Sequence, residues 1–224
     1  MKKLPLLLLL YFVSVAAQAQ SLKIGIKSGI TLGNVSGRDA PEGNRIRVSG
    51  HGGPMALWSF SDLVGLQTEV LLSNKGYKVK LEQDMNGVRS DETVNGDFLY
   101  VDVPVLFRFR SGKLFFDLGP QAGYLLRADV HQIRKIRNEN GGMVGQDLDN
   151  HEKDEDKFTR LDIGLATGLG LQTANGWNFG LRYYRSFRSL NNTSISDQQE
   201  VFHSGFQASV GLYFGYKEKA STAE

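Results

Sequence analysis

The 224-residue chain has no cysteine. No disulfide can staple it, and no lipid can be attached through a lipobox thiol. A large hydrogen-bonded framework must hold the fold instead. Long apolar runs are also missing, except at the start. Leu4 to Ala17 is broken only by Pro5 and Ser14, follows Lys2 and Lys3, and ends in Ala17-Gln18-Ala19, which fits the small-x-small cleavage rule. This pattern predicts a secretory signal peptide over residues 1–19, cleaved between Ala19 and Gln20. The run falls short of the roughly 20 residues of a spanning helix. Charge of one sign is lacking too. Without Lys2 and Lys3 the 26 basic residues become 24, equal to the 24 acidic ones. That balance removes the electrostatic case for a nucleic-acid partner.

Motifs that carry chemistry are scarce. The four histidines, His51, His131, His151 and His203, stand at no metal-ligand spacing from one another. Asp147 to Lys157 holds six carboxylates but lacks the offsets and turn glycine of a calcium loop. No phosphate-cradling glycine loop opens a helix, and the glycines recur at period two instead. Glu200 and His203 would fall on opposite faces of a strand, which speaks against a hydrolase pair. The expectation is a protein that is not an enzyme and carries no cofactor or metal.

What the sequence does have is alternation. From Leu161 to Leu171 the odd positions are Leu161, Ile163, Leu165, Thr167, Leu169 and Leu171, and the even ones are small or polar. The same period-two pattern runs through Leu99–Phe109, Trp177–Phe187 (interrupted by Arg185) and Phe202–Tyr216. Four further segments, 22–33, 50–60, 63–75 and 113–128, bring the count to eight. Most exceed the usual ~5–6 residues of soluble strands and cover the ~9–11 that a tilted bilayer crossing needs.

The connections sort by length. Ser61-Asp62, Ser111-Gly112 and Ala174-Asn175-Gly176 read as tight turns, and long polar stretches cover 34–49, 76–97, 129–157 and 189–200. Alternating long and short connections, an even strand count and both termini at one end define an outer-membrane barrel with short periplasmic turns and long external loops. The expected architecture is all-β: an eight-stranded antiparallel up-and-down transmembrane barrel over residues 20–216, with a polar tail at 217–224. The greasy face meets lipid, and the small and polar face fills a lumen too narrow for a wide channel. Aromatics near strand ends (Trp58 and Phe60, Phe107 and Phe109, Trp177 and Phe179, Phe214 and Tyr216) match an interfacial girdle. Pro54, Pro104 and Pro120 fall inside strands and predict bulges or strand-end irregularities.

Five stretches, EVLLSNKGYK (69–78), YVDVPVL (100–106), DLGPQAGYLL (117–126), DIGLATGLGL (162–171) and RYYRSFRSLNN (182–192), resemble the outer-membrane β-barrel family common in Bacteroidetes, the porin-family or PorT-like proteins. The resemblance covers most of residues 21–216 and implies an integral outer-membrane barrel. The best-known member of that family assists protein export across the outer membrane. The last strand also resembles the signal read by the barrel assembly machinery, with Ser209, Gly211, Phe214 and Tyr216 at the pattern positions, although the polar tail follows it.

Inward-facing charges should form a polar network. Lys27, Glu69, Asp102, Asp117 and Arg182 are expected near mid-barrel, and Arg108 nearer the periplasmic rim. Charges in a narrow lumen pair with one another or cost several kcal/mol. Two readings remain open: an interaction or secretion-accessory protein acting through its external loops, and a narrow small-solute porin. The expected partners are outer-membrane lipid and lipopolysaccharide, the assembly machinery, and a secretion or surface-polymer component; Arg134, Lys135 and Arg137 read either as ordinary surface charge or as contacts to lipopolysaccharide phosphates.

Overall fold

The computed structural model describes residues 21–41, 43–85, 88–138, 148–152, 158–190 and 200–215. The signal segment with Ala17 and Ala19, the tail, and Tyr216 lie outside them. Eleven strands form: β1 (Ser21–Ser36), β2 (Asn44–Arg45), β3 (Arg47–Ser59), β4 (Val64–Glu69), β5 (Leu71–Met85), β6 (Val88–Ser111), β7 (Leu114–Asn138), β8 (Leu148–Glu152), β9 (Leu161–Gln172), β10 (Trp177–Ser186) and β11 (Phe202–Tyr213). β4 and β5 make one barrel strand interrupted at Val70. With β2 and β8 set aside as additions at one end, eight antiparallel strands close on themselves. Each pairs with its chain neighbour, and β1 pairs with β11 from Gly25 opposite Tyr213 to Ser36 opposite Phe202. Closure pairs the backbone groups that lipid cannot satisfy.

Three tight connections lie at one end of the ring. Gly112 and Gly176 adopt φ of +58° and +85° there, a conformation that side chains with a Cβ resist. Ser21 is paired with Ser59 and Tyr213 with Gly25, so β1 begins and β11 ends at this short-turn end.

The two faces separate as alternation demands. Leu161, Ile163, Leu165, Leu169, Leu171, Phe179 and Leu181 point outward and are exposed. Asp162, Gln172, Asn178, Arg182 and Ser186 point inward and are buried. Phe60, Phe107, Phe109, Trp177, Phe179 and Phe214 form an exposed aromatic belt at the short-turn end. Tyr124, Tyr183, Phe187 and Phe206 form a second belt higher up, with Arg185 between Tyr183 and Phe187. A large charge is tolerated at that level because its head reaches the interface.

The long stretches differ from the expected loops. β5 and β6 pair without interruption from Leu71 opposite Asp102 to Met85 opposite Val88, so 76–97 is mostly hairpin. β7 continues alongside β6 as far as Asn138, and β8 adds to it. The ladder therefore rises past the apolar belt as a projecting sheet in the order β2-β5-β6-β7-β8 at its upper end.

The prolines differ from expectation as well. Register is kept across Pro54 and Pro104, which flank the interruption at Val70, one on each neighbouring strand. Each lacks the N–H that a continuous ladder uses. Pro120 lies where the β6–β7 ladder skips Val105 and Leu106. The register shift falls elsewhere: Leu99 opposes Arg127 while Tyr100 opposes Leu125, which leaves Leu126 as an extra residue on β7. Leu126 and Arg127 are consecutive exposed residues, the mark of a bulge.

Candidate functional site

The lumen is filled in layers. Nearest the short turns, Met55, Leu57 and Tyr213 form a buried apolar cluster. Above it lies an ionic layer built from five inward positions on five strands. Glu69 accepts bonds from Lys27 Nζ, 3.1 Å to each oxygen, and from both terminal nitrogens of Arg182 at 2.8 Å. Arg108 grips Asp117 in the fork geometry, Nε to Oδ1 at 2.7 Å and Nη2 to Oδ2 at 2.8 Å, and stacks 3.8 Å over the Phe115 ring. Asp117 also stands 3.8 Å from Arg182, which joins the two halves.

A hydrogen-bond relay closes this layer. Arg108 Nη1 donates to the Tyr213 hydroxyl at 3.0 Å, that hydroxyl donates to Gln67 Oε1 at 2.5 Å, and Gln67 Nε2 donates to Glu69 Oε1 at 3.0 Å. Arg108 is only 1% exposed. It belongs to this layer, more deeply enclosed than a position at the rim.

Asp102 sits elsewhere. Lys75 lies six residues beyond Glu69, about 20 Å farther along the strand. Its ammonium bridges Asp102 at 2.8 Å and Asp162 at 2.9 Å. It also lies 4.6 Å from the ring centres of both Tyr100 and Tyr184. Ser186 Oγ donates to Asp162. The structure thus brings Lys27, Glu69, Arg108, Asp117 and Arg182 together and places Asp102 in a second layer. Sequence reasoning missed Lys75, Asp162, Gln67 and Tyr213. Asp162 stood at an inward even position and Lys75 closed the strand segment 63–75, so alternation could have found both.

The lower layer has three cations and two carboxylates, and the upper has one cation and two carboxylates. Together they balance, four of each sign. A balanced, mutually bonded set is the condition under which charges remain stable in a low-dielectric interior. Above the second layer the lumen turns apolar again: Val35, Phe98, Tyr100, Leu125, Ala128, Leu190 and Val201 cluster there, with Tyr77, Val130 and Phe158 packed against them. The His203 ring lies edge-on to Phe98 and Tyr100, with centres 5.6 and 5.7 Å away. His203 is buried and Glu200 exposed, so the two do not form a pair.

Two small cavities lie between the described lumen side chains. A cavity of about 20 Å³ is lined by Thr31, Lys75, Tyr184, His203 and Gln207, and one of about 10 Å³ lies beside Lys27, Arg108, Asp117 and Arg182. Each is the size of a single water molecule. His203 Nε2 and Gln207 Oε1 have no hydrogen-bond partner among the described residues.

The assembly-signal positions fall on the last strand. Ser209 and Gly211 oppose Gly29 and Lys27 on β1, and Phe214 points outward just past the strand end. Tyr216 lies outside the described residues.

The chain resembles in fold the attachment invasion locus protein Ail of Yersinia pestis, at 13% identity over 86% of this chain and 98% of Ail, with a TM-score of 0.43. Neisserial surface protein A gives 11% identity, 87% and 100% coverage and a TM-score of 0.41. CarO of Acinetobacter baumannii gives 13%, 84% and 97%, and 0.42. No curated protein matches the sequence. The model of the outer membrane protein beta-barrel domain matches residues 17–192, more than three quarters of the chain, and the protein therefore belongs to that family of integral outer-membrane barrels.

Proposed function

We propose that this barrel is a non-enzymatic anchor that works through its projecting sheet, as an interaction or secretion-accessory protein of the bacterial surface. The observation that carries the reading is the layered lumen: apolar clusters at both ends, two bonded ionic layers between them, and cavities no larger than one water. A conduit needs a continuous wet path, and eight strands leave an interior that side chains fill. The area free to meet a partner then lies on the strands that continue past the lipid belt. In this reading the short turns and both termini face the periplasm, and the projecting sheet faces outward. Residues 1–19 direct export, and Ser209, Gly211, Phe214 and Tyr216 present the assembly signal. Lipopolysaccharide surrounds the upper aromatic belt. The Bacteroidetes-type motifs favour a secretion or surface-polymer component as the partner.

Crosslinking in cells, followed by purification from outer membranes and mass spectrometry, tests the proposal. Reproducible capture of a secretion or surface-polymer component supports it, and recovery of the barrel alone counts against it. The rival, a narrow small-solute porin, is decided by conductance in a planar bilayer. The sealed lumen is expected to give no discrete openings. Stable single-channel steps would replace the anchor reading with the pore.

A further inference from the structure

The chain has no cysteine, yet its upper ionic layer brings an amine and a carboxyl group into bonding reach. Lys75 Nζ lies 2.8 Å from Asp102 Oδ1. That contact puts the nitrogen ~3.5 Å from the carboxyl carbon, a separation from which positioned groups react. The side chains of Lys75, Asp102 and Asp162 are 7%, 0% and 4% exposed, and the Tyr100 and Tyr184 rings screen the amine from solvent. The two carboxylates on Lys75 differ in their surroundings. Asp162 also accepts a bond from Ser186 Oγ, which holds it as an anionic acceptor. Asp102 rests against Gly123, where a Cβ would strike its Oδ1 and touch Lys75 Nζ, so the glycine keeps the space of this pair open.

We propose that Lys75 Nζ and the Asp102 carboxyl condense to an amide, a side-chain cross-link between β5 and β6, with Asp162 carrying the proton. Lys75 first passes a proton to Asp102 across their hydrogen bond, which leaves a neutral amine and a neutral carboxylic acid. The amine lone pair attacks Asp102 Cγ and the C–N bond forms. Asp162, 2.9 Å from the nitrogen, removes the proton that the nitrogen must then lose. It returns that proton to the departing hydroxyl, the C–O bond breaks, and water leaves. An ammonium and a carboxylate thus become an amide and one water, with Asp162 again a carboxylate, and no oxidant or co-reactant is used. In water the ionised pair is the favoured state. In this interior the pair bears the cost of buried charge and the amide does not. The cavity of about 20 Å³ beside Lys75 is large enough to take the released water. Lys75 and Asp102 stand 27 residues apart at the foot of the β5–β6 hairpin, so the bond would tie the base of the projecting sheet. The bond is independent of what the barrel binds and of which side of the membrane the sheet faces.

The test is peptide mass spectrometry on the barrel purified from outer membranes, denatured and then digested with trypsin. Trypsin does not cut after a lysine whose amine is acylated. An unlinked chain gives peptides 48–75 and 90–108. The linked chain is expected to give, as the main species, peptide 48–78 joined to 90–108, one water lighter than the sum of the two. Fragmentation should place the junction at Lys75 and Asp102. Lys75→Arg and Asp102→Ala should each abolish the joined species, and Asp162→Ala should lower its yield at least tenfold. Heat-dependent gel migration shows which variants are folded barrels. The wild-type digest is decisive by itself, so a variant that fails to fold leaves the test intact. The proposal is overturned if wild-type 48–75 and 90–108 are recovered unlinked, if Lys75 is joined to Asp162 instead, or if a folded Asp162→Ala barrel links as the wild type does.

Discussion

Glu69 is the residue on which the lower layer turns. It is fully buried and is the shared acceptor of Lys27, Arg182 and Gln67. Glu69→Gln leaves two cations with only Asp117 near one of them. Removing one partner from a buried pair costs about 3–5 kcal/mol. A matching fall in stability is expected in urea unfolding of the vesicle-inserted barrel, followed by the fluorescence of Trp58 and Trp177. An unchanged midpoint would mean that the layer contributes nothing to stability. Arg108→Lys is expected to be destabilising although it keeps the charge, because an ammonium cannot reproduce the two-point grip on Asp117 together with the stacking on Phe115. Gly123 matters through what stands beside it. A Cβ there would meet Asp102 Oδ1, so Gly123→Ala should push the carboxylate off Lys75 and lower stability in the same assay. The inward positions of these charges were legible from alternation alone. Their division into two layers was not, because it depends on strand stagger, which decides which inward residues lie level with one another.

At the scale of the element, legibility followed the solvent. Where one face meets lipid and the other a packed lumen, β9, β10 and the lower part of β6 show strict alternation. Past the upper aromatic belt both faces of the hairpin meet polar surroundings, and the hydrophobic period fades while the backbone ladder continues. Residues 76–85 and 88–97 therefore read as loop and fold as strand. Side-chain pairs replace apolar contacts there. Arg134 donates to Glu92 from Nε at 3.1 Å and Nη2 at 2.8 Å, and these bonds hold the Glu92 carboxyl below its ordinary 4.5. Because the folded value is the depressed one, this stabilisation is fully present above 4.5 and is lost as pH falls through the folded value. Amide exchange over 88–97, corrected for intrinsic pH dependence, is expected to be steady down to 4.5 and faster below it. Glu92→Gln should abolish that step. The bulge at Leu126 was hidden for a related reason. Two consecutive outward residues look like the end of a strand until the partner strand shows that pairing resumes.

At the scale of the whole molecule, the eight-membered ring was readable because strand number, turn length and the position of the termini constrain one another. The seam between β1 and β11 joins the first and last strands of the ring, so the ring closes only when the last strand is in place. If the final strand carries the assembly signal, Tyr216→Ala should lower the amount of barrel recovered from outer membranes severalfold, and removal of 217–224 should leave it unchanged. The opposite ranking would place the signal in the tail. The lengths of β6 and β7 carry a further consequence. At 24 and 25 residues they run about 80 Å each along their own axes, more than twice what a tilted crossing uses. In the orientation proposed above, a stem of that height carries the upper strands beyond the lipid headgroups on the outer side. An approaching antibody, phage fibre or neighbouring cell would then meet these strands before it met the membrane.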